Sequence, residues 1–509
     1  MSLSEVAGMI DIGSNTVRLA VYQYSAGGAY RLIDQGRWSA RLSKKLTADG
    51  HLPDEAVDEL ADVLIHYLRI CRMHGTRKIR AVATAALRAA KNRDAVIRRL
   101  SKATDLRIEV LSGEEEARFG SEAMLRTLNL TEGYVVDIGG GSTEITLLRD
   151  RKTLRSVSFP FGCVNTASRF ELGDGPVSAD RLEEIRREVS RQLDALPWIS
   201  ERPGLPLIGL GGTVRAFAKL RQRETDYPFP LLHGYEQSER ELADALDRLA
   251  DKPAAARGKL PGLSKDRAEV IVPGLAILSA VWRHIGADKL VVCGTGIRDG
   301  LFFETCLPGF AQEGGNPVLE SSIRNLNALY PTAPSEHLAQ VRGLAMAVYR
   351  ALEAEADLPE NAGTWLDAAA RLFKIGAAID LNDNADHTFY MLVHTHWYGL
   401  SHRETLLTAA IASYKGAGSL RRRLAPFRSL LREGDAEAAA KLGSILQLAA
   451  ALDRSESQAI RSLTAAPAPG KLLLKAEAAQ SLAVEKKEVE AHAKEFKKIW
   501  GRVPVLSEA

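Results

Sequence analysis

Residues 10–16 read IDIGSNT and residues 136–143 read VDIGGGST, so the chain repeats one apolar-Asp-Gly turn at an interval of 126 residues. In the second copy Tyr134, Val135 and Val136 lead into Asp137, and Ile145, Leu147 and Leu148 follow Glu144, which predicts strand, tight turn, strand. The first copy agrees, with Val17, Leu19 and Val21 alternating with Arg18, Ala20 and Tyr22. Glycine lets the backbone of such a turn approach a ligand closely, and successive N–H groups there can cradle anionic oxygens. An Asp at the strand end can hold a divalent cation that bridges to those oxygens. Two turns of this kind facing each other make a phosphate clamp.

The segments between the turns predict an α/β chain. Pro53 opens a helix whose Val57, Leu60, Leu64 and Leu68 form one apolar stripe, and residues 79–84 and 108–111 read as short strands. After Gly133 the same order returns: a hairpin, a helix carrying Leu182, Ile185 and Val189, a strand at Leu207 and Ile208, and a buried strand over 290–293. Two similar α/β halves, 1–130 and 131–307, therefore suggest a duplication with a cleft between them. Residues 308–318, within LPGFAQEGGNPV, read as a Gly- and Pro-rich linker, and 319–509 read as a separate, mostly α-helical domain with a β signal near 471–474. A final helix over 484–499 could pack on its own domain or serve as a dimer contact. A chain of 509 residues is long enough for about three domains.

Composition excludes more than it assigns. A net charge of +3 puts any affinity for polyanions in local patches, and no nucleic-acid partner is expected. Cys71, Cys163, Cys293 and Cys306 have no CxxC spacing and suit reduced cytosolic thiols rather than a disulfide framework or a zinc site. The start MSLSEVAG is no signal peptide, and the apolar run 270–282, broken by Pro273 and Gly274, is too short to span a bilayer. The expected location is the cytoplasm.

Two further Gly loops, LIGLGGTVRA at 207–216 and LVVCGTGIRDG at 290–300, read as strand, loop, helix, the geometry that presents a helix N-terminus to phosphate. No Walker motif is present. Between the halves lies SGEEEARFG at 112–120: Ser112 is a natural N-cap, and three consecutive carboxylates put at least one off the solvent face, where it could activate water. Arg88 in TAALRAA is either a surface helix residue or a guanidinium contact to phosphate.

DIGSNT, TAALR, SGEEEA, VDIGGGSTE, GLGGT and VPGLAIL together closely resemble the exopolyphosphatase and guanosine pentaphosphate phosphohydrolase family, of the acetate kinase, sugar kinase, heat-shock ATPase and actin superfamily. The resemblance covers about the first 300 residues and implies two ribonuclease-H-like halves with the active site in their cleft, followed by a helical, HD-like region. It implies Glu116 as general base with Arg88 as a further phosphate ligand, and Asp137 and Glu144 as magnesium ligands. Gly139, Gly140, Gly141, Ser142 and Thr143 match the loop that holds terminal phosphates, Asp11, Ser14 and Asn15 the opposing loop, and Gly211, Gly212 and Thr213 the loop of the second half. The implied cofactor is magnesium, with room for stimulation by potassium; the implied partners are inorganic polyphosphate or guanosine pentaphosphate, and the expected assembly is a homodimer.

In longer members of that family the helical region is related to the HD metal phosphohydrolases. The matching place here is LFKIG at 372–376, followed by Asp386 and His387, and Phe373 and Lys374 cannot act as metal ligands. His387, His394, His396 and His402 lack the carboxylate pairing of a working site. Lys415, Arg421, Arg422, Arg423, Arg428 and Arg432 lie in a stretch, 411–432, without one acidic residue; this is either a solvated helix face or a positive rail for a long anionic chain. The leading expectation is an exopolyphosphatase; the alternatives are a pentaphosphate hydrolase using the same site, a small-molecule kinase of the superfamily, and a non-catalytic polyphosphate or alarmone sensor.

Overall fold

The computed structural model describes residues 3–309 and 315–508, so part of the expected linker, 310–314, lies outside the described residues. The chain divides into two compact units, one of residues up to 227 with 231–318, the other of 228–230 with 319 onward.

The first unit holds two sheets of like design. Strands β1 (Glu5–Ile12), β2 (Val17–Tyr24), β3 (Tyr30–Trp38), β4 (Lys78–Ala83) and β5 (Ile108–Val110) form one sheet in the order β3-β2-β1-β4-β5. Strands β6 (Gly133–Ile138), β7 (Thr143–Arg149), β8 (Lys152–Phe159), β9 (Leu207–Leu210), β10 (Glu236–Gln237) and β11 (Leu290–Val292) form the other, ordered β10-β11-β9-β6-β7-β8. Without the short edge strand β10 the two orders are the same, three antiparallel strands followed by two parallel ones. Each repeated turn joins the two hairpin strands, and the register sets Asp11 opposite Arg18 in the first sheet and Asp137 opposite Glu144 in the second.

The helix Asp54–Met73 buries the expected stripe, Val57, Leu60, Leu64 and Leu68, against the first sheet. In the second half the helix Ile271–Ile285 is buried on nearly every side, which explains its mostly apolar sequence. Pro273 does not break it, because a residue in the first turn has no intrahelical acceptor for the N–H that proline lacks. No helix among the described residues is long and apolar enough to cross a membrane. The helix Ile297–Cys306, in the range read as the second half, packs instead on the first sheet, with the Phe302 ring stacked on Tyr22 at 4.1 Å. The four cysteines are free thiols, three of them buried.

The second unit is mostly helical, as expected, but contains more β structure than the sequence announces. Strands β12 (Ile460–Ala468), β13 (Lys471–Ala478) and β14 (Val503–Glu508) form a small sheet in which only β13 was legible. The last helix, Ala483–Trp500, buries Val489 and Phe496 and packs on the helix Asp435–Ala451 and on β14. Lys374 joins Glu456 beside a buried pair that sequence reasoning missed, His337 Nδ1 and Asp453 Oδ2 at 2.8 Å, whereas Asp386 pairs with Arg423. The Lys374 side chain thus sits among the acidic groups. His402 is buried against the Phe229 ring and His394 stacks on Tyr390, and no group of three His, Cys, Asp or Glu among the described residues could hold a metal.

Leu275 lies at the centre of the buried helix, fully covered. Leu275→Ala should destabilise the first unit by about 2–5 kcal/mol, read as a lowered unfolding midpoint in calorimetry.

Candidate active site

The two repeated turns touch. A Cβ added at Gly140 would stand 3.1 Å from the Ser14 Cβ, so glycine is what lets the second turn close on the first. Their hydrogen bonding is one-sided. The carbonyls of Ser14 and Asn15 accept from Ser43 and Arg41, and those of Gly139 and Gly140 accept from Cys163 and Val164 at the start of the helix Cys163–Arg169. Asn165 Nδ2 donates to the Gly141 carbonyl at 2.7 Å. The N–H groups of Ser14, Asn15, Thr16, Gly140, Gly141 and Ser142 have no protein acceptor among the described residues. Asp11 Oδ1, Asn15 Nδ2 and Thr16 Oγ1 are likewise buried without a hydrogen-bond partner. Buried polar groups left open in this way indicate a ligand or water that completes them.

The cleft beside the turns is lined by Asp11, Ser14, Asn15, Gly139, Gly140, Gly141, Ser142, Gly211 and Gly212, together with the carboxylates Glu116, Asp137 and Glu144. Gly211 has φ +80, and a Cβ there would stand 2.2 Å from Asp137 Oδ1; only glycine lets the third loop pass that close to the carboxylate. Thr143 and Thr213 do not contribute hydroxyls, contrary to the sequence reading. Thr143 Oγ1 donates to the Phe161 carbonyl at 2.7 Å, and Thr213 is buried with its Oγ1 3.5 Å from the Ile138 carbonyl.

Glu116 sits in the first turn of the helix Gly113–Leu125, fixed by a capping box between Ser112 and Glu115. Glu114 and Glu115 are exposed, and Glu116 alone of the three is buried. Arg88 Nη1 donates to Glu116 and, at 2.6 Å, to the Leu111 carbonyl, so the guanidinium orients the carboxylate. Burial and the nearby Glu144 raise the Glu116 pKa against the opposing pull of Arg88. Glu144 accepts from Ser158 Oγ at 2.7 Å and is itself raised by burial and by Asp137. Burial raises Asp11 and Asp137 as well. Four acidic groups are thus held where their charged forms lack water.

Four arginines complete the lining, Arg18, Arg215, Arg267 and Arg298, and the sequence reading offered none of them as a site residue. None makes an ion pair among the described residues. Burial, with Arg215 and Arg298 next in order, lowers the Arg18 pKa. A signal existed for three of them. Arg18 stands in the register position that Glu144 holds in the second copy, Arg215 follows the third Gly loop, and Arg298 lies within the fourth. Arg267 carries no such mark.

In the second unit Arg421 and Arg422 are exposed on the helix Ala417–Leu424. Arg423 is not part of a rail: its Nη2 pairs with Asp386 at 2.6 Å and its Nη1 donates to the Ser413 carbonyl. The absence of acids from 411–432 overlooked a partner outside that stretch.

The model of the Ppx/GppA phosphatase family matches residues 20–308, and that of Ppx/GppA phosphatase domain III matches 318–493. An uncharacterised protein of Streptomyces coelicolor is 32% identical over 335 residues, 64% of this chain and 96% of its own length. Among solved structures, the Ppx/GppA family member of Aquifex aeolicus is 28% identical with a TM-score of 0.53, covering 60% of this chain and 98% of that one. An exopolyphosphatase of Cytophaga hutchinsonii, 22% identical with a TM-score of 0.54 over 59% of this chain and 97% of its own, shares the fold. These two family models together span most of the chain: it belongs to the Ppx/GppA phosphatase family.

Proposed function

We propose that the protein is an exopolyphosphatase that hydrolyses the terminal phosphoanhydride of inorganic polyphosphate. The observation that carries this reading is the one-sided bonding of the two turns: their carbonyls are tied back to the protein while six N–H groups remain available to phosphoryl oxygens. The described cleft lining has no aromatic side chain on which a guanine could stack, which favours polyphosphate over guanosine pentaphosphate.

The N–H groups of the two turns grip the terminal phosphate from both sides. Glu116, oriented by Arg88, accepts the proton of a water aligned with the phosphorus; the new P–O bond forms as the bridging P–O bond breaks. Asp137 and Glu144 fit a magnesium ion, because two carboxylates facing each other on neighbouring strands at the cleft, completed by substrate oxygens and water, are the ligand set that this ion usually takes. When bound, the ion supplies charge neutralisation to the phosphoryl oxygens. Exposed Arg421 and Arg422 would attract the distal part of a long chain.

Phosphate release from long polyphosphate, tripolyphosphate and guanosine pentaphosphate, compared with and without magnesium, tests this reading directly. Polyphosphate should be the best substrate, and only with magnesium; preference for the nucleotide would replace the reading by the pentaphosphate hydrolase. Glu116→Gln should lower the rate ~10²–10⁴-fold with the thermal midpoint preserved. Replacing Arg421 and Arg422 by Ala should raise KM for long chains more than for tripolyphosphate, and equal effects would remove the rail.

Each buried carboxyl has a folded-state pKa raised above its unfolded value, so it contributes stability at low pH that is lost as pH rises through the folded-state pKa. The midpoint of cation-free protein should therefore fall between about pH 5 and about pH 8.5, less steeply in Glu144→Gln. A flat profile shared by both proteins would contradict this electrostatic account.

A further inference from the structure

The fourth Gly loop and the arginines of the cleft have no part in holding the terminal phosphate as described so far. The loop ends at Gly296, which caps the helix Ile297–Cys306, and Gly296 N donates to Asp299 Oδ2 at 2.8 Å. Asp299 also accepts from the Tyr22 hydroxyl at 2.7 Å, so this acid is committed to the scaffold. Arg298, next to it, donates through Nη1 to the Leu19 carbonyl on β2 at 2.9 Å. Arg215, in the helix Gly211–Glu224 that opens from the third loop, donates through Nη1 to the Gly294 carbonyl at 3.0 Å. Each guanidinium is thus anchored at one nitrogen by a backbone carbonyl, and the rest of its fork makes no ion pair among the described residues.

Several guanidiniums gathered in one cleft repel each other, and burial costs them hydration. The pKa of Arg215 is lowered by burial and then by Arg298, which reports the same crowding. Such an arrangement is offset only by an anion of high charge density, and a planar fork matches two phosphate oxygens at once. The nearby orphaned atoms Asp11 Oδ1 and Thr16 Oγ1, the latter on a residue 5% exposed, show that the cleft is also incomplete on its hydroxyl and carboxylate side.

We propose that Arg215 and Arg298 form a leaving-side phosphate subsite, which holds the phosphate group linked to the one being cleaved. The inference rests on the exopolyphosphatase reading of the cleft. When water adds to the terminal phosphorus and its proton passes to Glu116, the bridging oxygen keeps the electron pair of the broken P–O bond. It becomes a terminal oxygen of the shortened chain, and the negative charge that develops on it is met by the two forks, with Arg18 beside them. The chemical class recognised is a condensed phosphate of at least two linked groups.

Equilibrium binding to full-length Glu116→Gln protein, with magnesium present, separates the two sides of the cleft. Tripolyphosphate and orthophosphate serve as the probes. Adding Arg215→Met or Arg298→Met should weaken tripolyphosphate by roughly 10–100-fold and orthophosphate by less than about threefold, because one charge-assisted fork is lost only from the linked phosphate. Arg215→Lys, which keeps the charge but not the fork, serves if a Met variant does not fold, and should weaken tripolyphosphate selectively too. Unchanged tripolyphosphate affinity, or an equal loss for both anions, would overturn the subsite. Phosphate release by the wild-type protein is measured alongside. If no polyphosphate is hydrolysed while tripolyphosphate binding still depends on Arg215, the hydrolytic reading fails and the subsite stands.

Discussion

The contact between Gly140 and Ser14 is the constraint on which the site depends. Two turns from separate sheets approach so closely that a single added methyl would press on the neighbouring side chain. The approach requires that their carbonyls face protein partners, and the Cys163 and Val164 amides at the start of one helix and the Arg41 and Ser43 amides provide them. Once the carbonyls are satisfied, the N–H groups are what the turns have left to offer. The anion site proposed for the cleft would thus be a consequence of how the turns are anchored.

The duplicated architecture is symmetric in strand order and asymmetric in chemistry. Seven residues after each turn Asp the register places an opposite partner, Arg18 in the first sheet and Glu144 in the second. A difference of charge at this equivalent position gives the first turn a guanidinium where the second has a carboxylate. The net charge of the chain, +3, shows nothing of this difference, which lies in two single residues at equivalent register positions.

Much of this was legible because it is local. Turn glycines, the capping Ser112, the alternation of β2 and the apolar run of β6 declare themselves within a few residues, and the SGEEEA element declared that a carboxylate leaves the solvent face without saying which. What remained hidden depends on residues distant in sequence. Arg267 reaches the cleft from a short helix with no motif around it. Thr143 looked like a ligand until its hydroxyl was found on the Phe161 carbonyl, and Arg423 looked free until Asp386 was found beside it. In the second unit the buried His337 and Asp453 are 116 residues apart, a separation that no spacing rule reports. Strands β12 and β14 were missed because a small sheet at the edge of a helical unit needs little apolar sequence.

The central claim is that the two halves of the cleft are chemically unequal, with the cation on the side of Asp137 and Glu144. Its most direct test is Mn²⁺ binding followed by electron paramagnetic resonance, in place of magnesium, on Glu144→Gln and on Asp11→Asn. The account predicts at least roughly tenfold weaker binding for Glu144→Gln and a change of less than about threefold for Asp11→Asn. Equal weakening by the two substitutions would contradict it.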